Sequence, residues 1–194
     1  MIFATNNQNK VNQIKKMAGD LNIVSLKEYG VDIEVEEDGK TFEENAIKKA
    51  VEINKITHEE VLADDSGLCI DYFDGWPGVY SNRFIPNSTS SERNEAILEK
   101  MKNVDDELRG ASHACVLAFC DKQGNVKTYR ADLKFKIARK QTGNNLFGFD
   151  PIALLDSGKT LAELSDEEKV KINARGMAFD LFLKDYKQCY LQKD

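Results

Sequence analysis

The chain has 194 residues and a formal net charge of −6 at pH 7. A chain of this length is expected to form one domain and to bury about 70% of the surface that its unfolded state exposes, so it needs no disulfide or metal to fold. The acidic balance argues against a nucleic-acid polymer as partner, because phosphate backbones bind basic faces. No apolar run approaches the about 20 residues of a membrane span, and MIFATNN does not resemble a signal peptide, so we expect a cytoplasmic protein.

Cysteine and histidine usage narrows the chemistry further. The four cysteines form no C-x-x-C pair and the chain has only two histidines, which argues against a zinc site. We interpret the cysteines as small buried residues in a reducing compartment. They are Cys69, Cys115, Cys120 and Cys189.

The first half of the chain alternates short strands and helices. Residues 2–4 predict a strand, and the polar loop TNNQN leads from it into a helix. The apolar face of this helix comprises Val11, Ile14, Ala18 and Leu21. Apolar and acidic residues alternate over 31–36, which predicts a half-buried strand running into an acidic turn. Thr41 and Glu44 form a capping box before the next helix, and residues 61–63 predict another strand.

The second half predicts helices around a hairpin. A helix begins at Ser91, and residues 113–137 predict two strands that turn at Gly124. Ser165 and Glu168 form a second capping box. The last helix has an apolar side made of Ala178, Leu181, Phe182 and Tyr186. Strands interleaved with helices, together with an antiparallel hairpin, predict an α/β protein with a mixed sheet.

Three of the predicted strands end in polar loops, TNNQNK, EEDG and DDSG. In open α/β sheets ligands bind beyond the carboxyl ends of strands, so we expect these loops to meet at one cleft. The first loop combines a hydroxyl, amides and a lysine at a helix N-terminus, which favours a phosphate. An asparagine-rich turn that only caps the helix would have the same composition. The loop consists of Thr5, Asn6, Asn7, Gln8, Asn9 and Lys10.

The other two loops carry five carboxylates, on Glu36, Glu37, Asp38, Asp64 and Asp65. Such hard oxygen ligands suit Mg²⁺, which takes one or two protein carboxylates together with waters and substrate phosphates. The acidic turn taken alone is equally consistent with a solvated loop. Asp64 and Asp65 are more informative, because an apolar strand runs directly into them and adjacent negative charges need a neutralising partner.

The segment LFGFDP offers aromatic rings and a hydrogen-bond acceptor. Phe147 and Phe149 could stack on a flat base, and Asp150 could accept a hydrogen bond from its ring N–H. Phenylalanines of a hydrophobic core would give the same pattern. Lys169 and Arg175, beside the last helix, are either solvated or recognise phosphate or carbonyl oxygens.

Taken together, these segments resemble the inosine triphosphate pyrophosphatase family. The matching segments are ATNNQNK, EEDGKTFEENAIKKA, LADDSGLCID, GWPGVYSNRF, FGFDP and GKTLAELSDEEK, in family order. The resemblance implies a long mixed sheet with flanking helices, two lobes with an active-site cleft between them, and a homodimer. It also implies Mg²⁺-dependent hydrolysis of purine nucleoside triphosphates (ITP, dITP and XTP) to the monophosphate and pyrophosphate, by a single domain over residues 1–194.

The resemblance also implies roles for individual residues. Asp65 and Glu36 bind the metal, Asp65 is the base that activates water, and Asp64 orients its neighbour or the metal waters. In the family, the counterparts of Asp150 and Arg175 lie at the purine base. The implied substrate contacts are Thr5, Asn6, Asn7, Gln8, Asn9, Lys10, Lys49, Ser66, Phe147, Gly148, Phe149, Asp150, Lys169 and Arg175.

One segment departs from the family pattern. Where the family has Ser-His-Arg before the last helix, this chain has Asn173, Ala174 and Arg175, so a hydrogen-bond partner of the base is missing. The loss predicts weaker discrimination for a 6-keto purine, by about 1–3 kcal/mol. Two alternatives therefore stay open: the same reaction with an altered or broadened base preference, and a nucleotide-binding protein without turnover.

Overall fold

The computed structural model describes residues 1–144 and 147–190 and contains a seven-stranded sheet with flanking helices. The strands are β1 (Ile2–Phe3), β2 (Val24–Ser25), β3 (Val61–Ile70), β4 (Trp76–Pro77), β5 (Gly110–Cys120), β6 (Val126–Ile137) and β7 (Ala153–Leu154). The helices are α1 (Gln8–Met17), α2 (Leu26–Tyr29), α3 (Phe42–Thr57), α4 (Ser90–Lys100), α5 (Asp166–Ile172) and α6 (Ala174–Tyr190).

The sheet is mixed, as the sequence predicts. Its strand order is β2-β1-β3-β5-β6-β7, and β4 pairs with β3. β1 runs parallel to β2 and β3, whereas β4 is antiparallel to β3 and β7 is antiparallel to β6. The predicted hairpin is formed by β5 and β6, and the amide of Asp121 donates to the carbonyl of Asn125 at 3.0 Å in the turn between them. Gly124 supplies the positive φ of 84° that this turn requires.

The chain divides into two compact units, each with its own core. The first unit comprises Met1–Ser66, Cys115–Ala131 and the chain from Ala174, and the second comprises Gly67–Ala114 and Asp132–Asn173. The core of the first unit is rich in aromatic residues, including Phe3, Phe119, Phe179 and Phe182. The core of the second unit includes Leu68, Ile97, Met101, Phe135 and Ile152.

Side-chain caps fix where two of the predicted helices begin. Ser165 and Glu168 form the predicted capping box at α5. At α3, Thr41 Oγ1 accepts from the amide of Glu44 at 3.1 Å, but the Glu44 carboxylate accepts from the amide of Lys40, so only half of the predicted box forms. Within the described part of the chain, no helix is long and apolar enough to cross a membrane.

Three local predictions are wrong. Residues 31–39 form no strand, although their exposure alternates, because alternation needs only an extended chain whereas a strand needs a hydrogen-bonded neighbour. On α6, Leu181 is 49% exposed and Phe179 is buried instead, since the inward stripe passes through Phe179 and Phe182. Cys189 is exposed rather than buried, and all four cysteines are free thiols.

Candidate active site

Asp64 and Asp65 lie inside strand β3, not at its end as the sequence suggested. The end of the apolar run Val-Leu-Ala does not mark the end of the strand, because the buried polar residues that follow it continue the same strand. β1 accompanies β3 as far as Leu62, whose carbonyl accepts from the amide of Ala4 at 2.7 Å. The chain then leaves the sheet, so the loop that begins at Thr5 lies beside the part of β3 that carries the two aspartates.

Asp64 is a buried acceptor for two cations. Lys10 Nζ lies 3.0 Å from Asp64 Oδ2, and Arg175 Nε lies 3.0 Å from the same oxygen. The side chain of Asp64 is 0% exposed, and those of Lys10 and Arg175 are 22% and 12% exposed. Asp64 therefore holds two cations in place, whereas the sequence suggested that it orients Asp65 or metal waters.

These contacts predict a pH dependence of stability. Burial alone would raise the pKa of Asp64, but the charges of Lys10, Arg175 and Lys49 outweigh it and hold the pKa well below the usual 3.8. Because the folded-state pKa lies below the unfolded one, the stabilising contribution is present above about pH 4 and is lost as the pH falls further. The difference in unfolding free energy between wild type and Asp64→Asn, measured with urea, should therefore shrink below about pH 4. A difference that does not change with pH would contradict this.

Arg175 is held at three points. Besides Asp64, its Nη1 donates to Gln13 Oε1 at 2.7 Å and its Nη2 donates to Ser66 Oγ at 3.2 Å. The structure thus brings Arg175 together with Lys10 and Ser66 in the first unit. Its role at a purine base stays a prediction.

Asp65 has the surroundings of a reactive carboxylate. Its Oδ2 accepts from Asn45 Nδ2 at 2.8 Å, and its Oδ1 accepts from the amide of Ser66 at 2.9 Å. Burial raises the pKa of Asp65 in spite of the nearby Lys49, and the charge of Glu37 raises it further. A raised pKa favours a role as proton acceptor, and each oxygen retains a lone pair for a hard cation.

The acidic segment, residues 36–39, is tied to the rest of the site by Glu37, which pairs with Lys49 and whose charge acts on Asp65. Lys49 Nζ donates to Glu37 Oε1 at 2.5 Å and to a backbone carbonyl of β3 at 2.5 Å. Glu36 is exposed, because side chains alternate along this extended segment. A metal-binding role for Glu36 stays a prediction, with Glu37 as a second candidate.

No group of three or more His, Cys, Asp or Glu side chains that could hold a metal occurs among residues 1–144 and 147–190. Mg²⁺ usually takes one or two carboxylates and completes its shell with waters and substrate phosphates. The carboxylate of Asp65 supplies hard oxygen donors of this kind.

The loop over residues 5–10 caps helix α1. Asn7 Oδ1 accepts from the amides of Asn9 and Lys10 at 3.0 and 3.4 Å, and Thr5 Oγ1 accepts from the amide of Asn7 at 3.2 Å. The capping interpretation is thus correct for the structure described. The loop also places Lys10 in contact with Asp64 of β3. Phosphate binding by this loop stays a prediction.

Of the candidate base-recognition residues, Phe147, Phe149 and Asp150 lie in the second unit, and Arg175 lies in the first. Asp150 Oδ2 accepts from Lys169 Nζ at 2.8 Å, and burial raises the pKa of Asp150 against the effect of Lys169. Phe149 packs against the core of the second unit, whereas Phe147 is 59% exposed, so the core interpretation holds for Phe149 only. Leu146, the first residue of the LFGFDP segment, lies outside the described residues.

Three polar residues near these sites escaped the sequence analysis: Gln13, Asn45 and Asn94. Asn94 is 0% exposed, and its Nδ2 donates to the carbonyl of Gly148 at 3.1 Å. Asn45 and Asn94 both interrupt buried helical stripes, Asn94 lying one turn before Ile97. A polar residue in an apolar stripe is the signal that would have identified both.

Two proteins of similar sequence are dITP/XTP pyrophosphatases. The chain is 43% identical over 189 residues to the dITP/XTP pyrophosphatase of Clostridium perfringens, and the alignment covers 92% of this chain and 93% of that protein. It is 41% identical over 182 residues to the dITP/XTP pyrophosphatase of Bacillus licheniformis, and the alignment covers 92% of this chain and 93% of that protein.

Solved structures share the fold. The Ham1 protein of Staphylococcus aureus superposes with a TM-score of 0.89 at 35% identity, covering 96% of this chain and 97% of that chain. A nucleoside-triphosphatase / dITP/XTP pyrophosphatase from Mycobacterium abscessus gives a TM-score of 0.78 at 32% identity, covering 94% and 97%. The sequence profile of the Ham1 family matches residues 1–185. The protein belongs to the Ham1 family, which confirms the resemblance drawn from its sequence and the mixed α/β fold expected from it.

Proposed function

We propose that this protein hydrolyses ITP, dITP and XTP to the nucleoside monophosphate and pyrophosphate. The proposal is supported by the dITP/XTP pyrophosphatases that are 43% and 41% identical to it over nearly their full length. The structural observation that carries it is the buried pair Asp64 and Asp65, in which one carboxylate anchors cations and the other has a raised pKa. Residues 1–194 act in this proposal as a single pyrophosphatase domain.

Asp65 is the proton acceptor of the reaction. Its carboxylate takes a proton from the attacking water, the anhydride bond between the α and β phosphates breaks, and pyrophosphate leaves. Asn45 and Ser66 hold the two carboxylate oxygens in fixed directions, so Asp65 does not have to reorient when water attacks.

Positive side chains receive the phosphates. Lys10 is fixed by Asp64, so its position is set before the phosphates arrive, and the same carboxylate fixes Arg175 for the purine base. Lys49 is fixed in the same way by the acidic segment and β3. Preorganised cations stabilise the charge that develops on the leaving pyrophosphate, and Lys169 is a further substrate contact in the proposal.

The charge balance around Asp65 calls for a divalent cation. The cluster contains three cations, Lys10, Lys49 and Arg175. Its three carboxylates are Asp64, Asp65 and Glu37, so the cluster is neutral when all six groups are ionised. A triphosphate therefore needs added positive charge, and Mg²⁺ supplies it when bound and also makes water a better nucleophile. Asp65 and Glu36 would hold the ion, and the matched variants Glu36→Gln and Glu37→Gln decide which glutamate does.

The residues proposed for base recognition are Phe147, Asp150 and Arg175. Asp150 accepts from the purine ring N–H, and Phe147 is the ring with the exposure needed for stacking. Ala174 stands where the family has histidine, and it is 0% exposed, so a histidine would not fit there without displacing its neighbours. This site is where an altered base preference would originate.

The test is pyrophosphate release with Mg²⁺ from ITP, dITP, XTP, GTP, ATP and dUTP. We expect release from the first three to exceed release from GTP and ATP, and EDTA to abolish it, because the neutral cluster cannot hold a triphosphate unaided. Equal rates on ITP, XTP and GTP would indicate a broadened base preference. Tight nucleotide binding without release from any of the six would favour a binding protein and contradict the proposal.

The assembly and the compartment are part of the proposal. We expect a homodimer, as the resemblance implies, and sedimentation of the purified protein would test it. The cytoplasm is supported by the four free thiols, two of them buried, since disulfides are rare in that compartment.

A further inference from the structure

Asn45 joins the acidic segment to Asp65. Its side chain lies on the buried stripe of α3 and the residue is 1% exposed. Asn45 Nδ2 donates to Asp65 Oδ2 at 2.8 Å, and Asn45 Oδ1 accepts from the amide of Gly39 at 2.8 Å. Only one orientation of the amide satisfies both partners, because a carboxylate requires a donor and a backbone N–H requires an acceptor.

The turn at Gly39 lies directly against this amide. A Cβ atom placed on Gly39 would come within 2.6 Å of Asn45 Oδ1 and 2.8 Å of Glu44 Cβ, closer than atoms can approach. The residue type at this turn is therefore fixed by the same side chain that contacts Asp65. Any displacement of the turn is passed to the Asp65 carboxylate through one rigid amide.

Helix capping does not account for this side chain. Thr41 already caps α3 by accepting from the amide of Glu44, and the amide of Asn45 makes the ordinary helical bond to the carbonyl of Thr41. Both polar ends of Asn45 are instead used on groups outside the helix. An alanine here would fit the apolar stripe, so the amide has a purpose beyond packing.

We propose that Asn45 is a positioning residue that couples the acidic segment to Asp65, so that carboxylates from two separate parts of the chain face a divalent cation in one fixed geometry. The inference rests on the proposed function and deepens it. Hydrogen-bonding partners of metal-binding carboxylates change metal affinity or activity by about 10–100-fold when they are removed. Loss of the amide should therefore affect the cation requirement before it affects nucleotide binding.

The chain offers a matched control in Asn54. It lies on the same helix and is 7% exposed, and its Nδ2 donates to the backbone carbonyls of Glu59 and Asp121 at 2.8 and 2.9 Å. Asn54→Ala thus removes a buried amide of the same kind without touching the acidic segment or Asp65. Gly39→Ala is a second variant, which disturbs the coupling from the side of the turn and leaves Asn45 intact.

The experiment measures pyrophosphate release from dITP as a function of Mg²⁺ and, separately, Mn²⁺ binding to the nucleotide-free protein by electron paramagnetic resonance. For Asn45→Ala we expect about a 10–100-fold rise in the half-saturating Mg²⁺ concentration and in the Mn²⁺ dissociation constant. The KM for dITP at saturating Mg²⁺ should change little. Gly39→Ala should shift both cation constants in the same direction, and the double variant should be less impaired than the two single effects combined.

Different outcomes overturn different statements. If Asn45→Ala and Asn54→Ala both lose stability but leave the cation constants unchanged, Asn45 is only a structural residue and the inference is wrong. If Asn45→Ala does not fold, Gly39→Ala provides the test. A Gly39→Ala protein that loses stability but keeps the wild-type cation constants overturns the inference. If the wild type releases no pyrophosphate, the proposed function fails, while Mn²⁺ binding still reports on Asn45.

Discussion

Replacing Asp65 with asparagine is expected to lower pyrophosphate release from dITP by about 10²–10⁴-fold without unfolding the protein. The variant removes the proposed proton acceptor and one anionic oxygen, while its side chain keeps nearly the same size. Burial raises the pKa of Asp65, so loss of the charge itself costs little, but an asparagine can accept from only one of Asn45 Nδ2 and the Ser66 amide. The melting temperature should therefore fall, while the protein stays folded, because one buried donor loses its partner.

The measurement is kcat with saturating Mg²⁺, together with thermal unfolding of the nucleotide-free protein. Asp20→Asn is the control, because Asp20 is an exposed carboxyl of the same unit. Its kcat should equal that of the wild type. An Asp65→Asn protein with full turnover would show that another group accepts the proton.

Local chemistry explains why much of the fold could be predicted from the sequence. The box of Ser165 and Glu168 and the turn at Gly124 depend on residues within a few positions of each other. The alternation over 31–36 was equally clear and still misleading, because strand formation also depends on a neighbour that no local pattern specifies. Element type was predictable where the determinants are local.

The site was predictable in its composition but not in its pairing. Residue types alone marked Lys10, Asp64 and Asp65 as candidates for charge chemistry. The contact between Asp64 and Arg175 spans 111 positions, so only the folded chain shows that this aspartate anchors cations. Glu37, and not Glu36, turns inward and pairs with Lys49, because side chains alternate along the extended acidic segment; two adjacent glutamates in a sequence do not reveal which one does so.

Replacing Asp64 with alanine is expected to lower the free energy of unfolding by about 3–5 kcal/mol, because it leaves two largely buried cations without their carboxylate. Lys10 and Arg175 both meet Asp64 at 3.0 Å, and its side chain is 0% exposed. Urea denaturation at pH 7 without nucleotide measures the loss. Glu99→Ala is the control: Glu99 pairs with Lys102 on the surface, where both side chains are more than half exposed, so that variant should lose little.

The cause of that loss can be separated from a simple packing defect. If unpaired charge is responsible, a triple variant with Asp64→Leu, Lys10→Met and Arg175→Met should recover part of the stability, since replacing a whole buried ion cluster by apolar residues removes the desolvation cost. The same variant should be inactive, because the proposed phosphate contact of Lys10 and the proposed base contact of Arg175 are both gone. A triple variant no more stable than Asp64→Ala would mean that Asp64 contributes through packing, and that its carboxylate is not what holds Lys10 and Arg175 ready for the substrate.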